Sequence, residues 1–482
     1  YPAAIKSLDE ARKAAPDAPA IYFNLGLAEA KIPGREARAI CALEAYLALT
    51  PAAANSQAVR DLIDKLEVTS RANVEKMIEI LKAGFASLNT SPTYLTQPET
   101  SFPVLYLKLG RVGDAEALIK NPPRPKAYPD SADYAYLALA KTLVTLGRLD
   151  EAKKYADLVG GNKKEDRDSF MARAYIDAGR FREAKSILAS YVYQDPDLLL
   201  ELAVAEQKAG LTDDAEARFQ DAKLAVEAQV KRYDGDQYWH LINLPDLAYA
   251  RWRMGQKDAA ETLLKSTVSE AEAYSGKSPN STRVHVLINL AGTYELMDRH
   301  ADALKIMDKV EKAYRSQISK GEESIGITTG YDRIYNEYRW FREWKRAESF
   351  INFVGVNKIF AEGGEGLRKW LADGRTEQEK GALRLAAFKS ISRTLTDPSA
   401  TPAQKAAAWM TYSDTFLQSP IFVTDFNVMI KNLVEYTPPA DEYDKPRAVF
   451  ARIEEPAEAI VDALNNIHAM RERRPIVTEW PV

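Results

Sequence analysis

"YAYLALAKTLVTLGRLDEAKKYADLV", residues 134–159, reads as two helices joined by a tight turn. Gly147 stands at the turn, and Ala152 follows five residues later. Ala140 lies twelve residues before Ala152, among Tyr136, Leu139 and Leu143 at helical spacing. A glycine after a helical run fits the C-cap, where the backbone turns left-handed without penalty. The paired alanines let two helix backbones approach, and the larger residues fill the seam between them.

The same phrase recurs along the chain. Gly34 precedes Ala39, Gly110 precedes Ala115, Gly179 precedes Ala184, Gly210 precedes Ala215 and Gly255 precedes Ala260. "MDRHADALKI" around Ala303 and "FREWKRAESF" around Ala347 keep the alanine and lack the glycine. The first-helix alanine recurs as Ala172, Ala203, Ala248 and Ala291. The second-helix alanines lie 31 to 37 residues apart from Ala115 to Ala215, and 43 to 45 apart from there to Ala347. A chain of 482 residues is too long for one compact core. A fixed period makes it a repeat array, in which each helix pair buries its apolar face against the next.

This pattern resembles the tetratricopeptide repeat family. "IYFNLGLAEA", with Tyr22, Leu25 and Gly26, matches the family's first-helix signature, and Ala39, Leu43 and Pro51 match its second helix. "MARAYIDAGRFREAKSILASYVYQDPDL", with its closing Pro196, matches nearly as well. The resemblance covers residues 1 to about 356 and implies an all-α fold, a right-handed α-α superhelix. In that register "YPAAIKSLDEARKAAPD", residues 1–17, is a second helix with Ala4 as its alanine and Pro16 as its terminal proline. Its first helix is missing, so the native protein is expected to extend upstream of Tyr1.

Four segments follow from the period. Residues 1–90 hold the first repeats, 91–230 the short-period repeats and 231–356 the long-period repeats; 357–482 form a C-terminal helical region. "AVRDLIDKLEV" and "ANVEKMIEILKAGFASLN" read as two helices, "TSPTYLTQPETSFP" as a loop and "KNPPRPKAYPD" as a connection. Gly363, Gly364 and Gly366 mark a break. Amphipathic helices follow it, with Thr401 and Thr424 as N-caps, and "EPAEAIVDALNNIHAMRER" is the last. These helices are expected to cap the final apolar face of the solenoid.

Composition narrows the function. Sixty-five basic residues balance 69 acidic ones, which leaves no basic footprint, so no nucleic-acid partner is expected. No apolar run approaches a membrane span. Cys41 is the single cysteine and sits among apolar helix residues, which reads as a buried core thiol. His240, His285, His300 and His468 lack metal-ligand spacing. "GGEG" at 363–366 lacks the strand and the Lys-Ser/Thr of a phosphate loop. No cofactor, metal or catalytic set is expected, and the chain does not read as an enzyme. Richness in alanine and arginine, and phrases such as "CALEAYLALTPAAANSQAVRDLIDKLE", resemble exported bacterial repeat proteins, which favours the periplasm over the cytoplasm.

The family resemblance also implies a site. First-helix positions that face the family's concave surface fall on Tyr249, Trp252 and Arg253, then His285 and Asn289, then Arg333, Asn336, Arg339 and Trp340. Arginine, tryptophan and tyrosine carry most interface energy, the asparagines suit a peptide backbone and the arginines suit carboxylates. The alternative is packing, with Trp252, Trp340 and Trp344 in the helix seams and the arginines paired to Glu337 and Glu343. Asn24 and Lys31 fit two positions of the family's carboxylate clamp, but the remaining positions do not match. The expected function is a non-enzymatic scaffold or assembly factor that holds a protein or peptide partner in the groove. The alternative is a regulatory or structural subunit of a larger complex, or of an enzyme whose active part lies outside this chain.

Overall fold

A computed structural model of the chain describes all residues except 87–96, 122–130, 190–194, 234, 276–278, 320–324, 357–364, 435–444 and 473–482. Among the described residues every regular element is helical. The chain divides into two compact units, one of residues 1–164 with 380–482 and one of residues 165–379. These boundaries cut across the four segments read from the repeat period.

The first unit begins with α1 (Pro2–Ala14), α2 (Pro19–Glu29), α3 (Glu36–Leu49) and α4 (Ser56–Ala86). It continues with α5 (Gln97–Lys108), α6 (Val112–Lys120), α7 (Ser131–Thr145) and α8 (Leu149–Ala156). The second unit takes α9 (Lys164–Asp177), α10 (Phe181–Leu188), α11 (Pro196–Lys208), α12 (Thr212–Arg232) and α13 (Tyr238–Arg253). After them come α14 (Lys257–Ala273), α15 (Pro279–Leu296), α16 (His300–Ser319), α17 (Ile325–Trp340) and α18 (Trp344–Val356). The long α19 (Glu365–Thr396) crosses the boundary. The first unit then resumes with α20 (Pro402–Phe416), α21 (Pro420–Val423), α22 (Phe426–Val434) and α23 (Lys445–Arg471).

The repeat alanines lie where close approach demands them. Ala152, Ala184, Ala215, Ala303 and Ala347, with Ala140, Ala172, Ala203, Ala248 and Ala291, are wholly buried. At Gly147 φ is +71°, and the turn closes with Gly147 N–H donating to Val144 O and Arg148 N–H to Leu143 O. In the two copies that lack the glycine, Asp298 and Arg342 adopt φ of 60° and make the same pair of bonds. The turn geometry therefore outlasts the residue that makes it easy.

The first half of α19 packs on the last repeat, with Leu371 in the core of α17 and α18, while the helices after α19 cover a different surface from the one expected. Within the first unit α20 packs along α3, and α23 lies against α3, α4 and α5. They therefore cover the first repeats. Arg471 of α23 binds Glu44, Asp64 and Glu67, and Lys108 binds Glu458 and Asp462. Arg12 binds Asp414, Arg38 donates to Leu417 O, and Phe426 N–H donates to Pro33 O. Cys41 is fully buried, as expected, and burial pushes its thiol up.

Other readings change locally. Residues 56–86 form one helix where two were read, because "VTSR" at 68–71 contains weak helix formers and no breaker. "QPETSFP", read as the end of a loop, opens α5, with Pro103 inside the helix. Gly366 and Gly374 lie within α19, which starts at Glu365, so Gly366 does not break the helix. Thr401 caps α20 with a full capping box to Gln404. At α22 the cap is Asp425, not Thr424: Asp425 Oδ1 accepts from Asn427 and Val428 N–H. Gly363 and Gly364, and most of "KNPPRPKAYPD", lie outside the described residues.

Candidate functional site

In the second unit the first helices of successive pairs pack on one another, α11 on α13, α13 on α15 and α15 on α17. Each second helix packs chiefly on its own partner and on the next first helix. Closer contact on one layer makes that layer the inner one, so α11, α13, α15 and α17 form an inner face. The residues expected in the groove all lie on these helices.

They divide into two groups. Tyr249 and Trp252 are half-buried, stack with ring centroids 6.2 Å apart and rest on the apolar core between α13 and α18. Trp344 rests on that core as well. Arg339 packs its guanidinium on Gly374 of α19: a Cβ added there would stand 2.8 Å from Arg339 Cζ. Arg253, Arg333, Asn336 and Trp340 face solvent, and Trp340 is 43% exposed. Among the described residues Arg253 and Arg333 form no ion pair, and the Arg253 guanidinium lies 5.5 Å from the Tyr249 ring. Asn289 is half-buried.

Neighbours that the repeat positions do not indicate complete the site. Tyr238, in the first turn of α13, shares a hydrogen bond of 2.8 Å between its hydroxyl and His285 Nδ1. Burial, and then the charge of Arg333, push His285 down to about 4, so its ring is neutral near pH 7. Burial pushes the Glu337 carboxyl up to about 7 against the opposing pull of Arg333, and its Oε2 is buried without a hydrogen-bond donor. Glu337 and Trp340 close over Gly292 of α15, where an added Cβ would meet Trp340 Cζ3 at 3.1 Å. Gly292 is thus a seat for the indole, a role legible only after α15 and α17 are paired.

Charge of the opposite sign lies on the same face. Asp197 of α11 and Asp246 of α13 are exposed and form no ion pair among the described residues. Burial, and then Asp197, push the Asp246 carboxyl up to about 7. Glu201 pairs with Arg173 at 3.1 Å. A cavity of about 830 Å³ opens at the C-terminal ends of α9, α11 and α13, lined by Arg173, Asp177, Phe181, Glu201, Lys208 and Arg253 among others. Among the described residues no three His, Cys, Asp or Glu side chains are grouped to hold a metal ion. No described helix is long and apolar enough to cross a membrane.

No curated protein matches the sequence. Among solved structures, the human IFIT1 dimer with m7Gppp-AAAA aligns over 82% of this chain and 95% of its own, at 13% identity. The TM-score of 0.19 is too low for that alignment to bear on the fold. Residues 133–159, the turn at Gly147 with its two helices, match the model of the tetratricopeptide repeat. With buried alanine pairs and left-handed turns repeated along both units, the chain is an all-α solenoid of helix pairs, one of which is similar to the tetratricopeptide repeat.

Proposed function

We propose that the chain is a non-enzymatic scaffold that holds a partner polypeptide on the inner face of the second unit. One observation carries the reading. Arg253, Arg333, Asn336 and Trp340 share that face, open to solvent, and the two arginines have no ion-pair partner among the described residues. An exposed tryptophan beside unpaired arginines is the composition of an interface centre. Tyr249, Trp252 and Arg339 act in support, as the floor of the face and as packing on α19. The partner is a protein and not a nucleic acid, because Asp197, Glu201 and Asp246 on the same face repel phosphates.

The test places a photo-cross-linking residue at Trp340 in the full chain and identifies what it captures in the source cell. Capture of a polypeptide, lost when Arg253 and Arg333 become glutamate, is the expected result. Capture that survives both substitutions moves the site elsewhere, and capture of RNA overturns the reading.

A further inference from the structure

We infer that the inner face of the second unit takes a bipolar polypeptide segment, its cationic end over Asp197 and Asp246 and its anionic end at Arg333, between His285, Asn289 and Asn336. The inference rests on the partner-binding reading and names the chemistry of the partner.

The two ends are separate and each is incomplete. Asp197 and Asp246 stand on neighbouring helices, both exposed, and neither meets a cation within ion-pair distance among the described residues. Arg333, on α17, is likewise exposed and unpaired. Its own surroundings supply donors. His285 spends Nδ1 on its hydrogen bond with Tyr238, and among the described residues Nε2 has no protein partner. The His285 ring is half-buried. Asn289 and Asn336 add amide N–H groups on the same two helices. Glu337, whose carboxyl is pushed up to about 7, shares these surroundings, and an exposed arginine without an ion pair selects a carboxylate.

The two ends cannot neutralise each other. Helix axes pack roughly 8–10 Å apart, so the two or three steps from α13 or α11 to α17 span about 20–30 Å. That exceeds the Debye length of about 8 Å at physiological salt. At about 3.3 Å per residue, an extended segment needs roughly six to nine residues to join the two ends. A nucleic-acid strand meets Arg333 and Arg253 but is repelled by the two aspartates. A uniformly acidic or uniformly basic peptide likewise satisfies one end and opposes the other.

The experiment uses the full chain and fluorescein-labelled synthetic peptides read by fluorescence anisotropy. One peptide carries two lysines and two glutamates separated by seven uncharged residues. A second has the same composition with the charges adjacent. A third has glutamates at both ends, and a fourth has lysines at both ends. The spaced bipolar peptide is expected to bind best, by about tenfold, from a factor of about three per satisfied end. Asp197→Lys with Asp246→Lys transfers the preference to the peptide with glutamates at both ends. Arg333→Glu transfers it to the peptide with lysines at both ends. Circular dichroism confirms that each variant folds.

Equal binding of all four peptides, no binding of the spaced peptide at millimolar concentration, or an unchanged ranking in both variants overturns the inference. If the bipolar preference fails while the cross-link from residue 340 persists, the partner-binding face stands and only its charge rule falls.

Discussion

Replacing Arg342 with glycine is expected to stabilise the protein, and Asp298→Gly to do so by less. Both residues hold φ of 60° at turns whose other copies use glycine. Both side chains are exposed and make no hydrogen bond or ion pair among the described residues, so the substitution reads the backbone alone. A left-handed non-glycine residue costs about 1–2 kcal/mol. The extra freedom of glycine in the unfolded chain returns about 0.5–1 kcal/mol of that. The net gain is about 0.5–1 kcal/mol at Arg342. It is smaller at Asp298, because aspartate tolerates the left-handed region better. The two turns are separate, so the double variant should gain the sum, a few degrees in Tm for a unit of this size. The reciprocal control is Gly255→Ala, at φ of 82°, where an added Cβ meets nothing within 4 Å. Its expected loss of about 1 kcal/mol is therefore pure backbone strain. Urea unfolding of the full chain at constant m-value measures all four variants. A neutral or destabilising Arg342→Gly, or a Gly255→Ala without cost, would refute the account of the turn.

Three further outcomes follow from the packing. Burial holds Glu337 at about 7, above its unfolded value, so its contribution to stability declines as pH rises from about 4 to 7. Glu337→Gln should gain about 1–3 kcal/mol at pH 8 and almost nothing at pH 4, and an equal gain at both values in urea unfolding contradicts the assignment. Gly26→Ala should cost about 1–3 kcal/mol, since the new Cβ would lie 2.6 Å from Leu43 Cγ and 3.3 Å from Ala39 O in the seam of α2 and α3; a thermal melt like the parent's would show that the seam has slack. Arg471→Ala, which strips Glu44 and Glu67 of their half-buried partner, should cost about 2–3 kcal/mol, against under about 1 kcal/mol for Arg111→Ala at its exposed pair. Equal losses in the two variants would mean that the C-terminal helices are not held by these charges.

Repeat and turn were legible because they are local. Gly147 and Ala152 lie on one hairpin, and the spacing that identifies them needs no knowledge of any other element. What escaped the sequence depends on which helices meet. "EPAEAIVDALNNIHAMRER" reads as an amphipathic helix wherever it docks, and its periodicity cannot distinguish the end of the array from the flank of α4 and α5. Arg471 becomes the centre of three ion pairs only after 427 residues of sequence separate it from Glu44. The same limit explains the site. Arg333 and Arg339 are alike in the linear pattern, yet α19 brings Gly374 under one and leaves the other open. Gly292 gave a signal that could have been used: it stands inside α15, and a glycine inside a helix costs about 1 kcal/mol, so its presence points to a close neighbour. What comes close is Trp340. The indole is thus anchored at one edge and exposed at the other, so a partner can bury the open edge without first ordering the side chain, which lowers the entropy lost on binding.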